Sequence, residues 1–141
     1  MPTFTVTRRV AFSDTDMAGI VHFANFYRYL EEAEHAFFRQ LGMRIIETQP
    51  DGRVIGWPRV RCSCSFTSPA YYEDLLDIHL SLTRIGVRSL TYAIRFQRGD
   101  TLIAQGDLKT VCCLCRPNHL ESMDIPPEYL AKLEPWANAD A

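Results

Sequence analysis

Residues 12–41 read FSDTDMAGIVHFANFYRYLEEAEHAFFRQL, and the fold turns on the change of pattern inside them. Ahead of this stretch, Thr3 to Phe12 is β-rich, with Phe4, Val6, Val10 and Phe12 on one parity and Arg8 interrupting. The polar cluster from Ser13 to Asp16 closes that strand. A helical period then takes over. Phe26, Tyr29, Leu30, Ala33, Phe37 and Leu41 fall on one stripe, with Arg28, Glu31, Glu32, His35 and Arg39 mostly off it. Gly42 is placed to end the helix.

Downstream the period falls to two. Val60, Cys62, Cys64 and Phe66 alternate with polar residues, as do Leu76 to Leu82 and Leu90 to Phe96. Such strands form a sheet covered on one face. Thr101 to Cys115 is long for one strand. Ala104 and Gly106 on one parity suggest a close-lying helix, with Gly106 a candidate bulge. Pro126 to Leu130 reads as the start of a short helix. One long helix and one apolar sheet face bury each other, which defines an α+β layer pair of a single domain over residues 1–141. An open five-stranded sheet also leaves edges, commonly protected by a second subunit.

Composition narrows the function. The 141 residues are 47% hydrophobic and 23% charged, with 15 Lys+Arg against 17 Asp+Glu. That balance lacks the basic excess expected for nucleic-acid or membrane-surface binding. No apolar run approaches the roughly 18 residues of a membrane span, and no secretory h-region is evident. The five cysteines sit in two tight clusters inside strand-like segments. A reduced, cytoplasmic protein is the expectation.

The chemistry lies in the loop between first strand and helix. Asp14 and Asp16 are two residues apart, Gly19 permits a tight turn, and the segment runs into a helix N-terminus. Free amides and the helix dipole there favour developing negative charge. A carboxylate facing such donors suits acyl transfer. Alone, two aspartates would read as caps or Asx-turns.

The motif Asp14-Thr-Asp16-x-x-Gly19-Ile-Val-x-Phe23-x-Asn25 resembles the hotdog-fold acyl-CoA thioesterases of the 4-hydroxybenzoyl-CoA thioesterase family. The resemblance continues through Pro58-x-Val60, Ser65-Phe66-x-x-Pro69-Ala-Tyr71-Tyr-Glu-Asp74 and Ile125-Pro-Pro-Glu-Tyr129. It implies a long helix wrapped by a curved five-stranded antiparallel sheet, and a homodimer or homotetramer with sites between subunits. It implies Asp16 as nucleophile or general base and the Phe23 N–H as the donor to the thioester carbonyl. Asn25 and Tyr27 would line or support the entrance, and Asp14 would be structural. No metal or other cofactor is implied. Some members carry a His seven residues after the catalytic Asp, where this chain has Phe23, with His22 one place earlier. Members acting on hydroxybenzoyl- and dihydroxynaphthoyl-CoA have an aromatic residue there, which tilts the reading to an aryl-CoA substrate. Arg88, with Arg84 before it, stands near a basic cluster that meets CoA phosphates in the family.

Other groups carry bland expectations. His22 is either a pocket residue or a solvent-facing histidine at a subunit edge. Glu31, Glu32 and Glu34 are expected on a solvated helix face, although a second hotdog group uses a helical glutamate in catalysis. The family strand order would make the Cys62/Cys64 and Cys113/Cys115 strands neighbours, yet one-residue spacing is poor for zinc and small hydrophobes are expected. Arg59 and Arg61 are expected on a solvated face. The rival function is a non-catalytic acyl-CoA-binding hotdog module. A hydratase lacks its His/Asp dyad on the helix, and a DNA-binding regulator would need an extension for which the chain leaves no room.

Overall fold

In the computed structural model, which describes residues 2–137, strand β1 (Phe4–Arg9) leads through a 3-10 turn at Phe12–Asp14 into helix α1 (Phe23–Gln40). Two short strands follow, β2 (Glu47–Thr48) and β3 (Val54–Gly56). Four long ones come next: β4 (Arg59–Phe66), β5 (Leu75–Ile85), β6 (Ser89–Arg98) and β7 (Thr101–Val111). Strands β8 (Cys113–Arg116) and β9 (His119–Ser122) precede helix α2 (Pro127–Leu133). The main sheet is five-stranded and antiparallel, in the order β1-β5-β6-β7-β4. Helix α1 lies against its inner face, the expected α+β layer pair. Among the described residues no helix is long and apolar enough to cross a membrane.

The helical stripe is buried as its period requires: Phe26, Tyr29, Leu30, Ala33 and Phe37 all face the sheet. They meet Leu76 to Leu82 on β5 and Leu90 to Phe96 on β6, whose alternate residues are likewise buried. Phe37 packs against Phe4, Tyr92 and Trp136 at ring separations of 5.6, 6.2 and 5.4 Å. The helix ends in a Schellman motif. Gly42 takes a φ of +72°, its N–H donates to the Arg39 carbonyl, and the Met43 N–H donates to that of Phe38.

Several expectations change. The first strand stops at Arg9, so Phe12 is 77% exposed despite its parity with Phe4. The Thr101–Cys115 run breaks at Cys112, whose N–H donates to Arg88 and whose carbonyl accepts from Met123. Beyond that point the chain joins a separate four-stranded sheet, β2-β3-β8-β9, which the sequence pattern did not announce. Gly106 is not a bulge; the register breaks near it fall between Arg59 and Arg61 and between Phe96 and Gln97. Its neighbour is strand, not helix: a Cβ there would lie 2.0 Å from the Ser63 carbonyl oxygen on β4. The cysteine strands are not neighbours either. Cys62 and Cys64 lie on β4, paired with β7, whereas Cys113 and Cys115 lie on β8, paired with β3 and β9. Cys113 is buried, Cys64 and Cys115 are half-buried, and Cys62 is exposed.

Glu34 overturns the solvated-face expectation. It is fully buried beneath α1, where one carboxylate oxygen bonds the Arg59 guanidinium and the other has no partner among the described residues. Arg59 is therefore a charge partner reaching in from the edge strand, and it also approaches Glu31 at 3.8 Å. Arg61 remains mostly exposed, beside Asp107.

Burial raises the Glu34 pKa from 4.5 to about 7, partly opposed by Arg59. A carboxyl with a raised folded-state pKa favours the native state most below its unfolded pKa, and that contribution is lost as pH rises through about 7. Thermal unfolding of wild type and Glu34→Gln across this range should show wild type losing stability relative to the variant as pH rises. A pH-independent difference in Tm would refute the linkage.

Candidate active site

The loop before α1 is a miniature hairpin. Thr15 bridges Val21, the Asp16 N–H donates to the Ile20 carbonyl at 2.9 Å, and the Gly19 N–H returns to the Asp16 carbonyl at 3.0 Å. Gly19 has a φ of +80°, a conformation that side chains resist. Asp16 sits at the start of this turn. Its Oδ1 accepts from the Ala18 N–H at 2.8 Å, while Oδ2 has no partner among the described residues.

Asp14 is engaged more heavily, through Oδ2 and its backbone carbonyl. Its Oδ2 accepts from the Ala11 N–H at 2.9 Å and from the Tyr29 hydroxyl at 2.8 Å, with Arg8 at 3.5 Å. Its backbone carbonyl accepts from the His22 N–H at 2.9 Å and from the Asn25 side-chain amide at 2.7 Å. The Arg8 guanidinium also lies over the Tyr29 ring at 5.2 Å. Both burial and the carboxylate of Asp14 hold the Tyr29 hydroxyl protonated, so it acts as a donor.

A pocket of about 330 Å³ opens between this loop, the first turn of α1 and residues 66–70. Asp16, Phe23 and Phe26 line it on one side; Phe66, Thr67 and Ser68 line it on the other. The two sides are stitched by the Val21 N–H, which donates to Ala70, and by a bridge between Ile20 and Tyr71. Arg98 anchors the far wall, donating to the Pro69 carbonyl at 3.0 Å and to Asp74 at 2.8 Å. Within the first helical turn, the Ala24 N–H donates to His22 Nδ1 and the Asn25 N–H to the His22 carbonyl. The Phe23 N–H makes no hydrogen bond among the described residues, as expected of a first helical amide.

Of the sequence-derived site residues, the structure brings Asp16 and Phe23 into one pocket. His22 stands beside it as the N-cap of α1. Asn25 is buried behind the loop and braces Asp14. Tyr27 and Arg88 do not line this pocket. Tyr27 lies near the β4 cysteines, where burial and then Cys64 and Cys62 raise its phenol pKa. Arg88 is exposed and held by Asp124 at 2.8 Å and Ser122 at 3.1 Å. The wall contributed by Phe66, Thr67, Ser68 and Ala70 was missed as lining, although it coincides with the Ser65-Phe66-x-x-Pro69-Ala motif.

A long helix on an antiparallel sheet is the architecture of the hotdog fold, and the family and solved structure that this chain matches are thioesterases, enzymes that hydrolyse thioesters. The chain belongs to the Thioesterase-like superfamily, which matches residues 10–133. It is 28% identical over 134 residues to a 4-hydroxybenzoyl-CoA thioesterase of Pseudomonas sp. (strain CBS-3), covering 91% of this chain and 95% of that one. It is also 28% identical over 134 residues to a 1,4-dihydroxy-2-naphthoyl-CoA hydrolase of Nostoc punctiforme, covering 94% and 87%. The solved structure of a gentisyl-coenzyme A thioesterase superposes with a TM-score of 0.78 at 29% identity, over 91% of this chain and 98% of that one.

Replacing Asp14 by Ala strands the Tyr29 hydroxyl, 1% exposed, and the Ala11 amide without an acceptor. Urea unfolding should show a loss of about 2–4 kcal/mol. Asp14→Asn keeps one carbonyl acceptor and should lose less. An unchanged midpoint in Asp14→Ala would show that the hub is not structural.

Proposed function

We propose that the chain hydrolyses an aryl-CoA thioester, RCO–S–CoA + H2O giving RCOOH + CoA–SH, at the Asp16 pocket. The observation that supports this reading is that Asp16 and Phe23, whose amide is unpaired among the described residues, line one apolar pocket. Asp16 Oδ2 attacks the thioester carbonyl or activates the water that does. The Phe23 N–H and the helix dipole stabilise the oxyanion as it forms. Phe23, Phe26 and Phe66 offer ring surfaces to an aromatic acyl group, and Thr67 and Ser68 bring hydroxyls to the same walls. The names of the relatives support the aryl choice, since hydroxybenzoyl, dihydroxynaphthoyl and gentisyl groups are all hydroxylated aromatics. Asn25 supports the entrance through Asp14, Tyr27 is assigned to support it from α1, and Arg88 is assigned to the CoA phosphates.

A second copy completes this reading. Strand β4 ends the main sheet, pairs with β7 on one side alone, and is largely exposed on both faces. Val60 is 57% and Phe66 50% exposed along it, an unprotected edge of the kind a partner strand covers. Phe66 also lines the pocket, so a homodimer formed along β4 would build onto the active site.

CoA release, followed with a thiol-reactive dye over a panel of aryl- and alkyl-CoA thioesters, tests the chemistry. Aryl-CoA should turn over fastest. Asp16→Asn should cut kcat on the order of 10³-fold or more with the fold intact; near-normal turnover would sink the assignment. Sedimentation tests the assembly: wild type should run as a dimer or tetramer and Val60→Lys as a smaller species with reduced turnover. A monomeric, fully active wild type would refute the shared site.

A further inference from the structure

We propose that His22 is a positioning residue for this reaction, acting as a neutral hydrogen-bond acceptor that caps α1 and as a platform for the Phe23 ring. The role rests on the thioesterase reading of the Asp16 pocket. The Ala24 N–H can only donate, and it lies 3.2 Å from His22 Nδ1, so that nitrogen carries a lone pair and the proton is on Nε2. His22 has the extended backbone of an N-cap, with φ −62° and ψ 134°. Ser, Thr, Asp or Asn usually fill this position, each with a side-chain oxygen as acceptor. Here a ring nitrogen takes the same part.

The backbone of His22 is tied at both ends. Its N–H donates to the Asp14 carbonyl and its carbonyl accepts from the Asn25 N–H, both at 2.9 Å. The residue thus joins the Asp loop to the first helical turn. With the Ala24 and Asn25 amides both occupied by His22, the amide of Phe23 is left without a partner among the described residues, in a residue that lines the pocket. The ring adds a second restraint. It stacks on the Phe23 ring at 4.7 Å and 26°, backing a pocket-lining side chain that is still 61% exposed. Capping and stacking both place Phe23, one through its amide and the other through its side chain.

Three variants separate these parts. His22→Asn keeps a capping acceptor and loses the stack. His22→Phe keeps the stack and loses the cap, and His22→Ala loses both. With hydroxybenzoyl-CoA as probe, Phe should lower kcat about tenfold while KM changes less, because a misplaced oxyanion donor is felt mainly in the transition state, and Ala should add a rise in KM, because the Phe23 wall loses its support as well. Asn should recover most of kcat. An Asn variant as slow as Ala, or a Phe variant as fast as wild type, overturns the capping role. Nitrogen-15 NMR of wild type gives a readout independent of turnover: protonated Nε2 is expected, and protonated Nδ1 overturns the proposal. Absence of turnover by wild type on every thioester would overturn the hydrolysis reading and this role together. An active wild type with an equally fast His22→Phe variant would overturn this role alone.

Discussion

The candidate site depends on one residue that lies outside its lining. Asp14 gathers five groups: the Ala11 amide, the Tyr29 hydroxyl and Arg8 at its carboxylate, and the His22 amide and Asn25 side chain at its carbonyl. Those groups come from the end of β1, the loop and the first two turns of α1. A loop between a strand and a helix would otherwise be free to swing, because its own bonds are few. Asp14 fixes its angle against the helix axis, and so fixes where Asp16 points relative to the helix N-terminus. Each aspartate keeps one carboxylate oxygen without a partner among the described residues, but Asp14 Oδ2 gathers three groups behind the loop, whereas Asp16 takes a single amide and lines the pocket.

The second constraint is the unfinished sheet. Strand β4 carries Val60, Cys62, Cys64 and Phe66 on alternating positions, a pattern that belongs to a covered strand, yet it is mostly exposed in the single chain. Covering it by a second copy reconciles the pattern with the burial. The same strand delivers Arg59 to the buried Glu34 at one end and Phe66 to the pocket at the other. In the proposed dimer, assembly along β4 and the shape of the acyl pocket are therefore not independent.

Local pattern carried much of this architecture, and its failures share a cause. The stripe of α1 and the alternation of β5 and β6 repeat over many residues, so periodicity alone placed them. Phe12 kept the parity of β1, but parity does not report that the chain has turned into a 3-10 helix. Strands β2 and β3, two and three residues long, are too short to show any alternation. Phe38 lies outside the expected stripe and is buried because Trp57, at 5.6 Å, covers that side of the helix. Glu34 is the sharpest case, since its partner Arg59 lies 25 residues away. A helix read by itself gives no account of a cation arriving from a distant strand. The Asp14–Asn25 motif was legible because its residues bond one another within a dozen positions.

The burial of Glu34 also bears on which carboxylate meets the substrate. A helical glutamate was the competing candidate, and it is the only one of Glu31, Glu32 and Glu34 that is fully buried. Burial alone would suit a carboxyl tuned toward neutrality. A group that exchanges protons or bonds with a thioester must reach it, however, and Glu34 lies outside the pocket, with Arg59 on one oxygen. Both carboxylates keep one oxygen unpartnered among the described residues, but Asp16 is half-buried and lines the pocket. Access, more than acidity, separates the two carboxylates, and it favours the loop over the helix.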